Sequence, residues 1–147
     1  MELQAVAQAF RAALDAQKAD NLLPEHMQNF PDRCCGVTSE LLGEYLKSLG
    51  HKPDYVYGKR FDSDGIPQAG HAWLEVEGIV YDLTADQFEG EGMPPVYVDA
   101  QGEWHQAFEC QNRHLAGHPR SAEYYGLERA VLRETLQRAN LHGPALD

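Results

Sequence analysis

Apolar residues recur along this chain at a helical period near both ends and at a period of two in the middle. Leu3, Val6, Phe10 and Leu14 predict an amphipathic helix over residues 2–18. Residues 19–33 contain two prolines and no period, which predicts a loop; Asp32 at its end is a candidate N-cap. Val37, Leu41, Tyr45, Leu46 and Leu49 then mark a second helix, stopped by Gly50 and Pro53. Tyr55, Val56 and Tyr57 start a strand, and residues 62–65 (Asp-Ser-Asp-Gly) are a turn.

Residues 70–77 alternate. Ala72, Leu74 and Val76 share one face, while His71, Trp73, Glu75 and Glu77 share the other, with Glu75 and Glu77 expected on a wet face. Gly78 is a hairpin turn into a strand over residues 79–82, and a further strand is predicted over 96–98. Residues 100–102 are a turn, and residues 111–120 carry no regular pattern. Leu127, Val131 and Leu136 place a last helix over 124–139. Helices at both ends around several strands predict an α+β fold with a small antiparallel sheet.

Composition narrows the partners. The 147 residues suit one domain spanning 1–147. Lys and Arg number 12 against 23 Asp and Glu, a formal charge of −11. That balance repels phosphate backbones and anionic lipid, so the expected partner is neither nucleic acid nor a membrane. No apolar run reaches the roughly 20 residues of a membrane helix, and the first residues lack a signal-peptide layout. Cys34, Cys35 and Cys110 are an odd count and a poor disulfide framework, which fits a reducing cytoplasm.

An adjacent Cys-Cys pair then points to thiol chemistry. A thiol attacks only as its thiolate, and a helix N-terminus favours that form. Cys35, three residues after Asp32, falls in the first turn. His71 can serve as base and proton donor, and Asp82 on the next strand can orient it. His71 lies seven residues before Gly78 and Asp82 four after, so a diagonal pairing is expected.

The run Arg33-Cys34-Cys35-Gly36 through Leu49-Gly50, the segment Gly70-His71-Ala72-Trp73-Leu74-Glu75-Val76, and Tyr81-Asp82-Leu83-Thr84 resemble a transglutaminase-like core within the papain-like cysteine enzymes. The small leader peptidases of bacterial lasso-peptide biosynthesis share that short core. The resemblance covers about residues 29–88. It implies a Cys-His-Asp triad, with the cysteine helix packed on an antiparallel sheet carrying His71 and Asp82. It also places the cysteine fifteen residues before the helix-ending glycine, which selects Cys35 over Cys34 by counting back from Gly50. Asp86 rivals Asp82 but lacks the Asp-x-Thr context. For the oxyanion, the resemblance implies the Cys35 N–H and a side-chain amide upstream, Gln28 or Asn29.

The expected activity is acyl transfer through a thioester, with no cofactor, on a protein, peptide or small amide, ending on water or an amine. Two alternatives remain. One is a non-catalytic interaction module of the same fold. The other is a metal-binding protein using Cys34, Cys35, His105, Cys110, His114 and His118, although no closed zinc spacing is present. Residues 105–118 are otherwise read as solvated histidines, with Trp104-His105 and Phe108 as an apolar plug over one edge of the sheet. Asp62, Asp64, Glu89 and Glu91 read as solvated loops without calcium-loop spacing.

Overall fold

In the computed structural model, which describes residues 2–117 and 122–142, the helical periods become α1 (Leu3–Ala19) and α2 (Cys35–Ser48) and, after a four-residue helix α3 (Glu103–Gln106), α4 (Tyr125–Arg138). Val6, Phe10 and Leu14 of α1, Leu41, Leu42 and Leu46 of α2, and Leu132 and Leu136 of α4 are buried in one cluster. Each such side chain contributes roughly 1.5–3 kcal/mol by leaving water. Gln17 Nε2–H donates to Thr135 Oγ1 at 2.7 Å, tying α1 to α4 inside this apolar layer.

The period-two segments form one antiparallel sheet. Its strands are β1 (Asp54–Phe61), β2 (Pro67–Val76), β3 (Ile79–Asp82), β4 (Tyr97–Ala100) and β5 (Glu109–Leu115), in the order β4-β3-β2-β1-β5. The fold is α+β: a five-stranded antiparallel sheet with four helices among the described residues. No helix of the described residues is long and apolar enough to cross a membrane.

The β2–β3 hairpin turns at Glu77 and Gly78, both at positive φ (52° and 81°). Such a turn matches the right-handed twist of the strands it joins. Leu74 opposes Tyr81 and Val76 opposes Ile79. Ala72, Leu74 and Val76 face the helices, as their alternation predicts.

The opposite face of β2 is not wet. Trp73 packs there with Val56, Val80 and Phe108 in a second buried cluster, joined by Phe88, Tyr97 and Trp104. Only Glu77 is exposed; Glu75 is partly covered, accepting from Trp73 Nε1 at 3.1 Å and pairing with Arg113. The covering comes from α3 and the start of β5, two elements absent from the sequence expectation. Their close approach requires Gly58 on β1, where a Cβ would stand 2.9 Å from that of Phe108. The plug of Trp104, His105 and Phe108 therefore lies over a face of the sheet rather than an edge.

The loop after β3 is clamped from α1. The Arg11 guanidinium donates to both oxygens of Asp86 at 2.8 and 2.9 Å, and to the carbonyls of Leu83 at 2.8 Å and Pro95 at 3.1 Å. Asp86 is thus committed to Arg11. Replacing Arg11 by Met leaves two carbonyls and a carboxylate without their donor. It is expected to lower unfolding free energy by about 2–4 kcal/mol, measured by urea denaturation.

Candidate active site

Cys35 is the first residue of α2, and its neighbour Cys34 is the N-cap. The expectation that Asp32 caps this helix is not met. Arg33 adopts a left-handed φ of 60°, which breaks the helical path between Asp32 and Cys34. No side chain caps α2, so the N–H groups of its first turn carry their partial positive charge unscreened beside Cys35. Cys34 points the other way: it is fully buried in the helix-side core, its thiol 3.9 Å from the Met27 carbonyl.

His71 reaches this helix end from β2. Its Nε2–H donates to Asp82 Oδ2 at 2.7 Å, and its other nitrogen is left for the Cys35 thiol, whose interaction with the ring raises the imidazole's affinity for its proton. In the hairpin register Asp82 falls opposite Trp73, so His71 sits two residues along on the same face, the diagonal the spacing predicts. Here β2 extends beyond its pairing with β3, and the Ala72 N–H also donates to the Cys35 thiol.

The environment of this trio is dry. His71 and Asp82 are buried, and the His71 ring meets Phe88, Trp104, Phe108 and Trp73 at centroid distances of 5.1–5.9 Å. Cys35 is only partly covered and is the exposed member. Arg60 stacks over Phe88, Trp104 and Phe108 and grips Glu91 at 2.6 and 2.9 Å, closing the aromatic shell from outside.

Each group's charge state follows from these partners. Burial pushes the Cys35 thiol up, but the hydrogen bond and charge of His71, with the Ala72 N–H, outweigh it and leave the thiol below its ordinary value. Burial likewise disfavours the His71 cation, yet the Asp82 charge and hydrogen bond, joined by Cys35, raise it to about 9. Asp82 is pushed up by burial and pulled further down by the His71 charge and by hydrogen bonds from His105 and His71, to well below the usual carboxylate range. Both shifts favour the thiolate–imidazolium form of the pair relative to an isolated thiol and imidazole.

Three residues stand otherwise than expected. Gln28 and Asn29 are exposed and line a cavity with Lys18, Asn21 and Leu23; no contact among the described residues joins either to Cys35. The amide found at the site is Gln87, which follows Asp82 by five residues. Its Nε2 stands 3.5 Å from His71 Nδ1 and donates to the Thr84 carbonyl at 3.0 Å, while its Oε1 accepts from the Arg33 N–H at 3.2 Å. It lies downstream of the triad in sequence, not in the segment before the cysteine. His105 is fully buried rather than solvated, its Nε2 2.7 Å from Asp82 Oδ2.

The other soft ligands are dispersed. His114 stacks on Tyr55 at 4.8 Å, Cys110 is exposed on β5, and His118 lies outside the described residues. Among the described residues no three His, Cys, Asp or Glu side chains are grouped to hold a metal ion.

No protein-family model matches the chain, and no solved structure matches it. A protein of Escherichia coli (strain UTI89 / UPEC) named "Uncharacterized protein YuaU" is 32% identical over 87 residues, 56% of this chain and 40% of that protein. The match thus spans less than half the length of that relative.

Proposed function

We propose that the chain is a cysteine-dependent acyl-transfer enzyme of transglutaminase-like or papain-like type, with Cys35, His71 and Asp82 as its triad. The observation that carries this reading is Cys35 at the first residue of a helix, beside an imidazole that a buried carboxylate holds from behind. The helix on the sheet, the cysteine at its first residue and the histidine–aspartate pair on adjacent strands support this reading. No observation favours the metal-binding or non-catalytic alternatives.

In the reaction the thiolate sulfur bonds to the carbonyl carbon of an amide or ester, and the π electrons move to the oxygen. The Cys35 N–H at the helix start is the donor this reading assigns to the resulting oxyanion. Collapse breaks the C–N or C–O bond, and His71 gives its proton to the departing amine or alcohol. Water or an amine then attacks the thioester, His71 takes up its proton, and the thiolate leaves. The net charge of −11 favours a neutral or basic peptide or small amide over an acidic one.

A denaturing mass spectrum after incubation with glutamine, peptide and ester substrates tests the reading. An acyl mass on Cys35 is the expected result; no adduct on any cysteine with all three classes would refute it.

The pH profile gives a second check. Alkylation of Cys35 by iodoacetamide is expected to set in at lower pH than for an ordinary thiol. Acyl transfer should then fall as pH rises through about 9, where His71 loses the proton its leaving group requires. Because the pair titrates together, these limbs belong to the pair. A single inflection at the ordinary thiol value would contradict the ion pair.

A further inference from the structure

Two histidines converge on one oxygen of Asp82, and the triad uses only one of them. His71 and His105 each place Nε2 2.7 Å from Oδ2, while the Thr84 N–H donates to Oδ1 at 3.0 Å. We propose, resting on the acyl-transfer reading of the site, that His105 is a positioning residue: its Nε2–H holds the buried Asp82 carboxylate in place and charged while His71 has given up its proton.

The surroundings of His105 select this role. The ring is 0% exposed and packs against Trp73, Tyr97 and Trp104 at 4.9, 4.7 and 4.8 Å. Among the described residues its Nδ1 has no hydrogen-bond partner, so a proton there would be buried without an acceptor. The proton therefore belongs on Nε2, where the carboxylate receives it. An aromatic plug needs no ring nitrogen for packing, yet this imidazole turns its Nε2 to Asp82.

The catalytic cycle supplies the need. While His71 is an imidazolium, its charge balances Asp82. Once that proton has gone to the leaving group, an anion remains in a dry aromatic shell, facing an uncharged ring. Besides the weakened His71 contact, the Thr84 N–H and the His105 Nε2–H are the donors that still hold it. Other groups around His71 do not substitute for them. Cys35 faces it from α2, Gln87 and Phe88 come from the loop after β3, and Arg60 of β1 is engaged by Glu91 outside the aromatic ring stack.

Ring-nitrogen NMR of labelled protein tests this without any substrate, by following the His71 titration from neutral to alkaline pH. In His105→Phe an aromatic ring is kept and the donor lost, so the Asp82 anion is worse tolerated beside uncharged His71. His71 should then hold its proton more tightly, its midpoint rising by about one pH unit. His105→Gln restores an N–H donor and should return the midpoint towards wild type. A purely space-filling role predicts no shift with Phe and no rescue by Gln, and either result overturns the proposal, as does a downward shift.

If the Phe variant does not fold, the wild-type spectrum still decides. A proton on His105 Nε2 with a bare Nδ1 is required, and a proton on Nδ1 refutes the assignment. Failure of the acyl-transfer reading is visible separately, as absence of a Cys35 adduct in a protein whose His71 midpoint still depends on His105.

Discussion

Cys35→Ala is expected to abolish the acyl adduct and to lower turnover by at least about 10⁴-fold, since the residual binding and oxyanion contacts cannot replace the nucleophile. Folding should survive. Cys35 is partly exposed at a helix start, and truncation there costs within about 1 kcal/mol. Cys34→Ala should do the reverse. Its sulfur is fully buried among Met27, Phe30 and the helix-side core, so about 1–2 kcal/mol of stability is lost with most activity retained. Mass spectrometry of the adduct, with urea midpoints for both variants, separates the two. If Cys34→Ala is inactive and Cys35→Ala active, the nucleophile is Cys34.

Asp82→Asn is expected to damage stability and activity together. Three donors converge on the two carboxylate oxygens, and an amide offers them one oxygen and an N–H that opposes a donor. With the amide nitrogen at Oδ2 both imidazoles lose their acceptor, and with it at Oδ1 the Thr84 N–H does; in either case the charge that holds the His71 imidazolium is gone, which by analogy with other triads lowers turnover by about 10⁴-fold. With two buried imidazoles imperfectly paired, unfolding free energy should drop by about 3–5 kcal/mol.

The pH dependence of wild-type stability carries the same signature. Asp82 is depressed from an ordinary 3.8, so its contribution is complete above that value and is lost as pH falls through the folded one. His71 is raised from 6.5 to about 9, so its contribution is complete below 6.5 and is lost as pH climbs to about 9. Both slopes should flatten in Asp82→Asn. Urea midpoints across the acid and alkaline limbs measure this, and unchanged slopes would show that the pairing lacks the strength inferred from its geometry.

Much of the architecture follows from local pattern. The periodicity over residues 2–18 and 124–139 matches α1 and α4 to within about two residues, because those faces are buried against one continuous core. The hairpin around Gly78 was readable because alternation and a positive-φ glycine agree. β5 was not readable. Glu109–Leu115 is almost wholly exposed on both faces, so it carries no alternation, and it is a strand because β1 offers a free edge. The start of α2 shifted for a similar reason: Arg33 at positive φ moves the cap from Asp32 to Cys34, a backbone choice that composition does not announce.

For the candidate site, the sequence pattern put a cysteine near a helix start, the family resemblance chose Cys35 over Cys34, and the hairpin spacing put His71 and Asp82 on one face of the sheet. A hairpin register is local, and a period of two leaves only one arrangement with Leu74 and Val76 inside. Tertiary structure decided the rest. It brought α2 to the end of β2, so that the thiol meets His71. It folded α3 over the sheet, so that His105 meets Asp82 across 23 residues of chain. It set Gln87, rather than Gln28, against the imidazole. These contacts join segments whose approach depends on close packing such as that at Gly58, and no periodicity within one segment encodes which distant partner fills the space beside it.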